Sequence, residues 1–290
     1  MMVRVPDPIR AIHYQIEEPL VYHFRAMAEF VYDEDVAARY DAAVPIAPGE
    51  VEFYLGLARE ARAQGLATLE LACGTGRIAI PLAREEIDIV GLDNSPEMLA
   101  RAQDKSVGLK NVRWVEGDMR SADLGERFGL VFIAAGTFQL MLSMEDQMAC
   151  LRCAYDHLTP GGRLAFEIAN QDIVAMGEWL TSKRGMLQRN PARDYTHPQT
   201  GLHVRAWGTI EYRTSEQLEI RHGLIEELDD DGVAVRRSYS QPMTLRYLYR
   251  YETEQLLARC GFEVEALYGD VRKDEYRGSS PAMIWIARRR

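Results

Sequence analysis

Apolar and polar positions change their period along this chain, and the changes divide it into regions. From Pro8 to Ala43, apolar and aromatic residues recur at helical spacing through Tyr22, Met27, Phe30, Val31 and Val36. Pro45 and Pro48 interrupt that pattern, and a second helix fits Glu50–Ala63. From Ala67 short apolar runs alternate with helical stretches. TLELAC, IDIVGLD, NVRWVEGD, RFGLVFIAA and GGRLAFEIA read as five strands, and IAIPLAREE, PEMLARAQDK and MEDQMACLRCAYDHL as the helices between them. Ser95 followed by Pro96 marks a helix start, a capping hydroxyl with proline in the first turn. Nearly all-apolar strands separated by helices predict a parallel sheet covered on both faces, a doubly wound α/β core.

After about Asn170 the texture turns to alternation. LHVRAWGTIEYR, QLEIRHGLIEEL and VAVRRSYSQPMTLRYLY each place polar and apolar residues in turn, with a turn at Asp230–Gly232. This predicts an antiparallel meander inserted after the fifth strand. YETEQLLARCGF is then a helix ending at Gly261, and EVEALYG and AMIWIARR are strands that complete the core sheet. The expected division is a helical cap over 1–48, an α/β core over 49–172, the β insertion over 173–250, and closing elements over 251–290.

Composition narrows the function. The formal charge is −10 with no long basic block, which disfavours a nucleic-acid groove; the basic patches at Lys183–Arg193 and Arg288–Arg290 read as solvated positions. No run approaches the roughly 18 apolar residues of a membrane span. Prolines stand in MMVRVPDPIR where a signal peptide would carry its apolar run, so a soluble cytoplasmic protein is expected. Cys73, Cys150, Cys153 and Cys260 include one Cys-x-x-Cys without a second pair. That is a poor zinc site, and on a helical pattern it reads as two small buried thiols; no metal is expected.

The local chemistry starts at Glu70-Leu-Ala-Cys-Gly-Thr-Gly-Arg-Ile-Ala79, a strand running through Gly74 and Gly76 into a helix whose free N–H groups can face a ligand. Gly-x-Gly-x-x-Ala with Asp93 downstream also satisfies the dinucleotide fingerprint, so a nicotinamide-dependent oxidoreductase stands as one reading. Against it, Glu70 would repel a pyrophosphate and would suit a positively charged ligand tail. No Tyr-x-x-x-Lys is present either. Glu116-Gly-Asp-Met-Arg120 ends the third strand with a carboxylate and an apolar partner, suited to an adenine, and Leu158-Thr-Pro-Gly-Gly-Arg163 leads into the fifth.

Together these segments resemble the class I S-adenosylmethionine-dependent methyltransferases, well over Leu66–Ala169 and loosely over the last forty residues. The resemblance implies a Rossmann-like seven-stranded, mostly parallel sheet and S-adenosylmethionine as cofactor. It implies that Glu70, Ala72, Cys73, Gly74 and Gly76 face the cofactor's amino-acid part. Asp93 would bind the ribose, with Asn94 and Met98 beside it; Asp118 would accept from the adenine amino group while Met119 packs on the ring. Ala72 stands where many members have a first glycine. Phe30–Asp41 resembles the lid helix of small-molecule members, including amino-sugar N-methyltransferases, and Tyr40 takes the position over the reacting methyl.

The fourth strand ends Ala134-Ala-Gly-Thr-Phe-Gln139, without the Asn/Asp-Pro-Pro-aromatic run of members acting on DNA bases or protein glutamine, and without the Asp of metal-dependent catechol-type members. A metal-independent transfer to a small-molecule O or N acceptor is what remains. A base is needed only where the acceptor must lose a proton; His13, His23, His203 and His222 are the candidate histidines, with nothing to choose between them. Phe138, Gln139, Asn170 and Trp179 are the expected acceptor-pocket residues. The aromatic-rich meander is either a lid over that pocket or a face packed on the core or on a second copy of the chain, a homodimer interface. A cofactor-binding protein without catalysis is the third reading.

Overall fold

In the computed structural model, described for residues 30–182 and 185–290, the parallel core forms as its apolar runs require. β1 (Thr68–Leu71), β2 (Ile89–Asp93), β3 (Val112–Glu116), β4 (Phe128–Ile133) and β5 (Leu158–Ala169) alternate with α3 (Ala79–Arg84), α4 (Pro96–Lys105) and α5 (Met144–Asp156). Ahead of them lie α1 (Glu34–Ala43) and α2 (Glu50–Arg62). The chain continues through α6 (Ile173–Thr181) and six strands: β6 (Gln188–Arg189), β7 (Tyr195–Thr196), β8 (His203–Arg213), β9 (Leu218–Leu228), β10 (Ala234–Tyr239) and β11 (Met243–Arg246). It closes with α7 (Arg250–Arg259), β12 (Phe262–Tyr268) and β13 (Ala282–Arg289).

Seven strands form the main sheet in the order β12-β13-β5-β4-β1-β2-β3. β1 pairs in parallel with β2 on one side and β4 on the other, so the chain order reverses between β1 and β4. Such a reversal opens a crevice at the carboxyl ends of the strands, where doubly wound sheets take ligands. The final strands complete the sheet, but β13 runs antiparallel to both of its neighbours. Each face carries its own apolar core: one packs Leu69, Val131, Phe166 and Trp285 under α5 and α7, the other Tyr54, Leu82, Leu130 and Phe132 under α2 and α3.

The second sheet is antiparallel and built on β8 and β9, paired over their whole length from His203–Leu228 to Arg213–Leu218. The expected third meander strand divides at Gln241-Pro242 into β10 and β11, which share one edge of β9. Proline carries no N–H for the ladder, so the break falls there. α6, β6 and β7 are additional elements that the alternation did not announce.

Helix ends follow local chemistry. Ser95 Oγ accepts from Met98 N at 3.1 Å at the start of α4, with Pro96 at its first position. α1 begins at Glu34, later than the apolar spacing suggested, because Asp33 caps it by accepting from Val36 N; Phe30–Tyr32 precede it without helical structure. The remainder of the expected helix from Pro8 lies outside the described residues, with His13 and His23. All four cysteines are free and buried. Among the described residues no helix is long and apolar enough to cross a membrane.

Candidate active site

A cavity lies at the carboxyl ends of β1, β2, β3 and β4, with about 910 Å³ of space when its mouth is included. Its floor comes from the strand ends: Ala72 and Gly74 after β1, Asp93 and Asn94 at β2, Gly117–Arg120 after β3, and Thr137 after β4. Its walls come from Met98 on α4, Leu140–Leu142, Phe30, Tyr32 and Tyr40 of the N-terminal segment, and Thr244 on β11.

The turn after β1 is shaped by close packing. Gly76 has φ 74°, and a Cβ there would meet the Trp114 ring at 2.7 Å, so only glycine lets the backbone lie against β3. Gly74 N donates to Asp93 Oδ2 at 2.7 Å and Ser95 N to Oδ1 at 2.9 Å, which fixes the carboxylate between two strand ends. Burial holds the Asp93 carboxyl above its ordinary range, against the pull of these backbone N–H groups.

Asp118 is held differently. Arg120 donates to it from its backbone N at 2.8 Å and from its guanidinium at 2.5 to 3.0 Å, and reaches Asp146 at 3.2 Å. The Arg120 guanidinium beside it keeps the Asp118 carboxyl below its usual range. An adenine amino group at this position would share an acceptor already engaged by Arg120. Met98 and Met119, both buried, supply apolar surface on either side.

The N-terminal segment roofs the cavity through a set of polar ties. Ser95 Oγ donates to Tyr32 O at 2.7 Å, and Arg101 and Lys105 of α4 pair with Glu34 and Asp41 of α1 at 2.5 Å each. Thr75 of the glycine turn also donates to Asp41. Tyr32 and Tyr40 meet edge to face with ring centroids 6.0 Å apart, and burial pushes both hydroxyls up. On the other side Val31 N donates to Gln241 Oε1 at 2.9 Å, tying the roof to the bend between β10 and β11.

Of the residues expected from sequence, Tyr40, Ala72, Gly74, Asp93, Asn94, Met98, Asp118 and Met119 line this cavity. Glu70, Cys73 and Gly76 stand behind it. Glu70 is 2 % exposed and takes the backbone N–H of Ala79 at the start of α3, and burial pushes its carboxyl well up. Cys73 N donates to Leu92 O across the strands.

Phe138, Gln139, Asn170 and Trp179 are not among the lining residues. Phe138 packs on Phe166 in the core, with ring centroids 5.0 Å apart. Gln139 bridges Ala169 N and Arg246 O, and Asn170 holds Gly278 O, Ser280 O and the Tyr276 hydroxyl. Trp179 lies on α6. His203 and His222 sit on the meander beside Asp194 and Glu211, away from the lining residues. Sequence reasoning missed Tyr32, Thr137, Leu140–Leu142 and Thr244. Their place on the wall depends on a turn and on a distant strand folding back, and no local motif signals either.

Three comparisons place this architecture among known proteins. The family profile described as a methyltransferase domain matches residues 68–162. YqeM of Bacillus subtilis (strain 168), described only as a methyltransferase, is 32 % identical over 222 residues, spanning 76 % of this chain and 83 % of its own. The CcbJ methyltransferase of Streptomyces caelestis superposes with a TM-score of 0.70 at 24 % identity, covering 90 % of this chain and 99 % of that one. CalS10, an amino pentose methyltransferase from Micromonospora echinaspora solved with S-adenosylmethionine bound, gives 0.66 at 22 % identity over 91 % of this chain and all of its own. With a profile on the strands that build the cavity and a relative 32 % identical over three-quarters of this chain, the chain belongs to the methyltransferase family.

Proposed function

We propose that this chain transfers a methyl group from S-adenosylmethionine to an O or N atom of a small-molecule acceptor, without a metal. The observation that carries the reading is the cavity itself: one buried carboxylate, Asp93, fixed between two strand ends and flanked by the sulfur-bearing side chains Met98 and Met119. The residues present suit the cofactor. A ribose offers hydroxyl donors to Asp93, and the apolar wall of Met98, Met119, Leu140 and Met141 accepts a flat base. Membership in the methyltransferases sets aside the nicotinamide reading of the glycine turn.

S-adenosylmethionine supplies an already activated methyl, so the protein's task is alignment and exclusion of water. Asp93 and the glycine turn set the depth of the site. Tyr32 and Tyr40 close it from above, pinned by Ser95 and Asp41 to α4 and to the glycine turn. Thr137 and Thr244 stand on the cavity wall, with the Thr137 hydroxyl donating to Ala134 O at 2.9 Å. The small-molecule acceptor is favoured by the amino pentose enzyme among the structures of the same fold.

The test is calorimetric titration with S-adenosylmethionine, S-adenosylhomocysteine and NAD, on the wild type and on Asp93→Ala. The sulfur compounds bind and NAD does not. Loss of the charge-assisted hydrogen bonds weakens S-adenosylhomocysteine by about 10- to 100-fold in the variant. NAD binding in their place overturns the reading. S-adenosylhomocysteine binding without turnover of any acceptor would instead indicate a non-catalytic binder.

A further inference from the structure

Phe30, Val31 and Tyr32 run ahead of α1 without regular structure, yet Phe30 and Tyr32 both line the cavity. Their rings meet edge to face with centroids 4.9 Å apart, and Tyr32 meets Tyr40 in the same way. Val31 between them is 54 % exposed, so its side chain is no anchor. Among the described residues, the backbone of this short segment is bonded by two side chains that reach it from different parts of the fold. Ser95 Oγ, at the start of α4 in the core, donates to Tyr32 O at 2.7 Å. Gln241 Oε1, in the β insertion, accepts from Val31 N at 2.9 Å.

Gln241 is presented from a firm support. It stands at the bend between β10 and β11 and is followed by Pro242, whose ring fixes φ. Both feet of the bend are bonded to β9: Ser240 N donates to Gly223 O at 2.9 Å, and Met243 pairs with Arg221. Glycine at 223 permits the first of these, since a Cβ there would meet Ser240 Oγ at 2.5 Å. From the bend, β11 runs along the cavity and places Thr244 on its wall. At the far end Arg246 donates to Leu142 O at 3.1 Å, and its own carbonyl accepts from Gln139 Nε2 at 3.3 Å. Leu140–Leu142 are wall residues too. β11 therefore holds the roof at one end and the wall beyond β4 at the other, although only Thr244 of this strand lines the cavity. Gln241 and Val31 are 210 positions apart, and Gln241 is itself exposed, so their bond places the roof and packs no core.

We propose that Gln241 is a positioning residue for methyl transfer: acting through Val31, it holds Phe30 and Tyr32 over S-adenosylmethionine. The inference rests on the cofactor reading of the cavity and goes beyond it, because Gln241 is not a lining residue. Without the bond the Val31 N–H turns to water, the two rings lose their fixed height, and bound cofactor leaves more readily. The atom required is the acceptor oxygen. A carboxylate at 241 supplies an equivalent one and a methyl group does not. The same contact couples the insertion to the cofactor site. Whatever steadies the β10–β11 bend favours the roofed cavity, and bound cofactor steadies the bend in return.

The experiment compares wild type, Gln241→Ala and Gln241→Glu. Calorimetry gives the affinity for S-adenosylhomocysteine, surface plasmon resonance on the immobilised protein gives its dissociation rate, and urea denaturation reports on the fold. Loss of one hydrogen bond is expected to weaken S-adenosylhomocysteine about 3- to 10-fold in Gln241→Ala, through faster dissociation. Its denaturation midpoint stays that of the wild type, and Gln241→Glu binds within about twofold of wild type. A merely structural role would lower the midpoint together with the affinity. Affinity in Gln241→Ala that is less than about threefold weaker overturns the proposal. So does an equal loss in Gln241→Glu, or a loss that follows a fall in the midpoint. Wild-type protein that fails to bind S-adenosylhomocysteine overturns the cofactor reading itself, and the proposal falls with it.

Discussion

Ala72 is held at φ 56°, a conformation that costs an L-residue about 1–2 kcal/mol. It lies on the floor of the cavity, directly after the strand that opens the glycine turn. Glycine would remove the strain but add about 0.4–1 kcal/mol of unfolded-state entropy. Ala72→Gly is therefore expected to stabilise the protein by about 0.5–1 kcal/mol in urea denaturation. A variant less stable than the parent would mean that the Ala72 methyl packs better than its backbone is strained. At this scale the sequence conveyed chemistry better than position. Asp93, Asp118 and the two methionines were legible because strand ends and glycine turns fix where such side chains go. Glu70 was read as a carboxylate facing the cofactor's positive tail, yet it takes the backbone N–H of Ala79 at the start of α3, since successive strand residues point to opposite faces. Glu167 carried no motif at all: its surroundings depend on the turn that follows β4, which no local pattern encodes.

Single elements were readable wherever their ends are decided locally. α4 has the bounds that Ser95 and Pro96 imply, and the break between β10 and β11 falls on a proline already visible in the chain. α6 was missed because its residues, IVAMGEWLT, bury only Met176 and so write no strong stripe. β5 begins earlier than its apolar run because Leu158 pairs with Phe128, a contact set by the neighbouring strand. Ser95 joins two elements at once: it caps α4 and donates to Tyr32 O in the roof. Ser95→Ala loses both bonds and is expected to cost about 1–2 kcal/mol in denaturation. Because Tyr32 lines the cavity, the same variant should also bind S-adenosylhomocysteine more weakly in calorimetry. Lost stability with unchanged affinity would show that the roof is held by Asp41 and Glu34 alone.

Across the whole molecule, acids are shifted in two opposing directions. Asp118, Asp194 and Glu265 are lowered by Arg120, Arg189 and Arg163, so their contribution is present at neutral pH and is lost as the solution becomes strongly acidic. Glu167 has the opposite sign. Its carboxyl lies at about 7 in the folded chain against an ordinary 4.5, so between those values the folded state holds a proton that the unfolded state has released. Stability from this group is full below about 4.5, declines as pH rises towards 7, and stays reduced above it. Discounted for its partial exposure, the decline is on the order of 2 kcal/mol. Glu167→Gln carries no charge to desolvate. Urea denaturation should therefore find the variant close to wild type at pH 4.5 and more stable at pH 8. Parallel stability curves for the two proteins from pH 4.5 to 8 would mean that the rim of β5 is solvated enough to leave Glu167 an ordinary carboxylate.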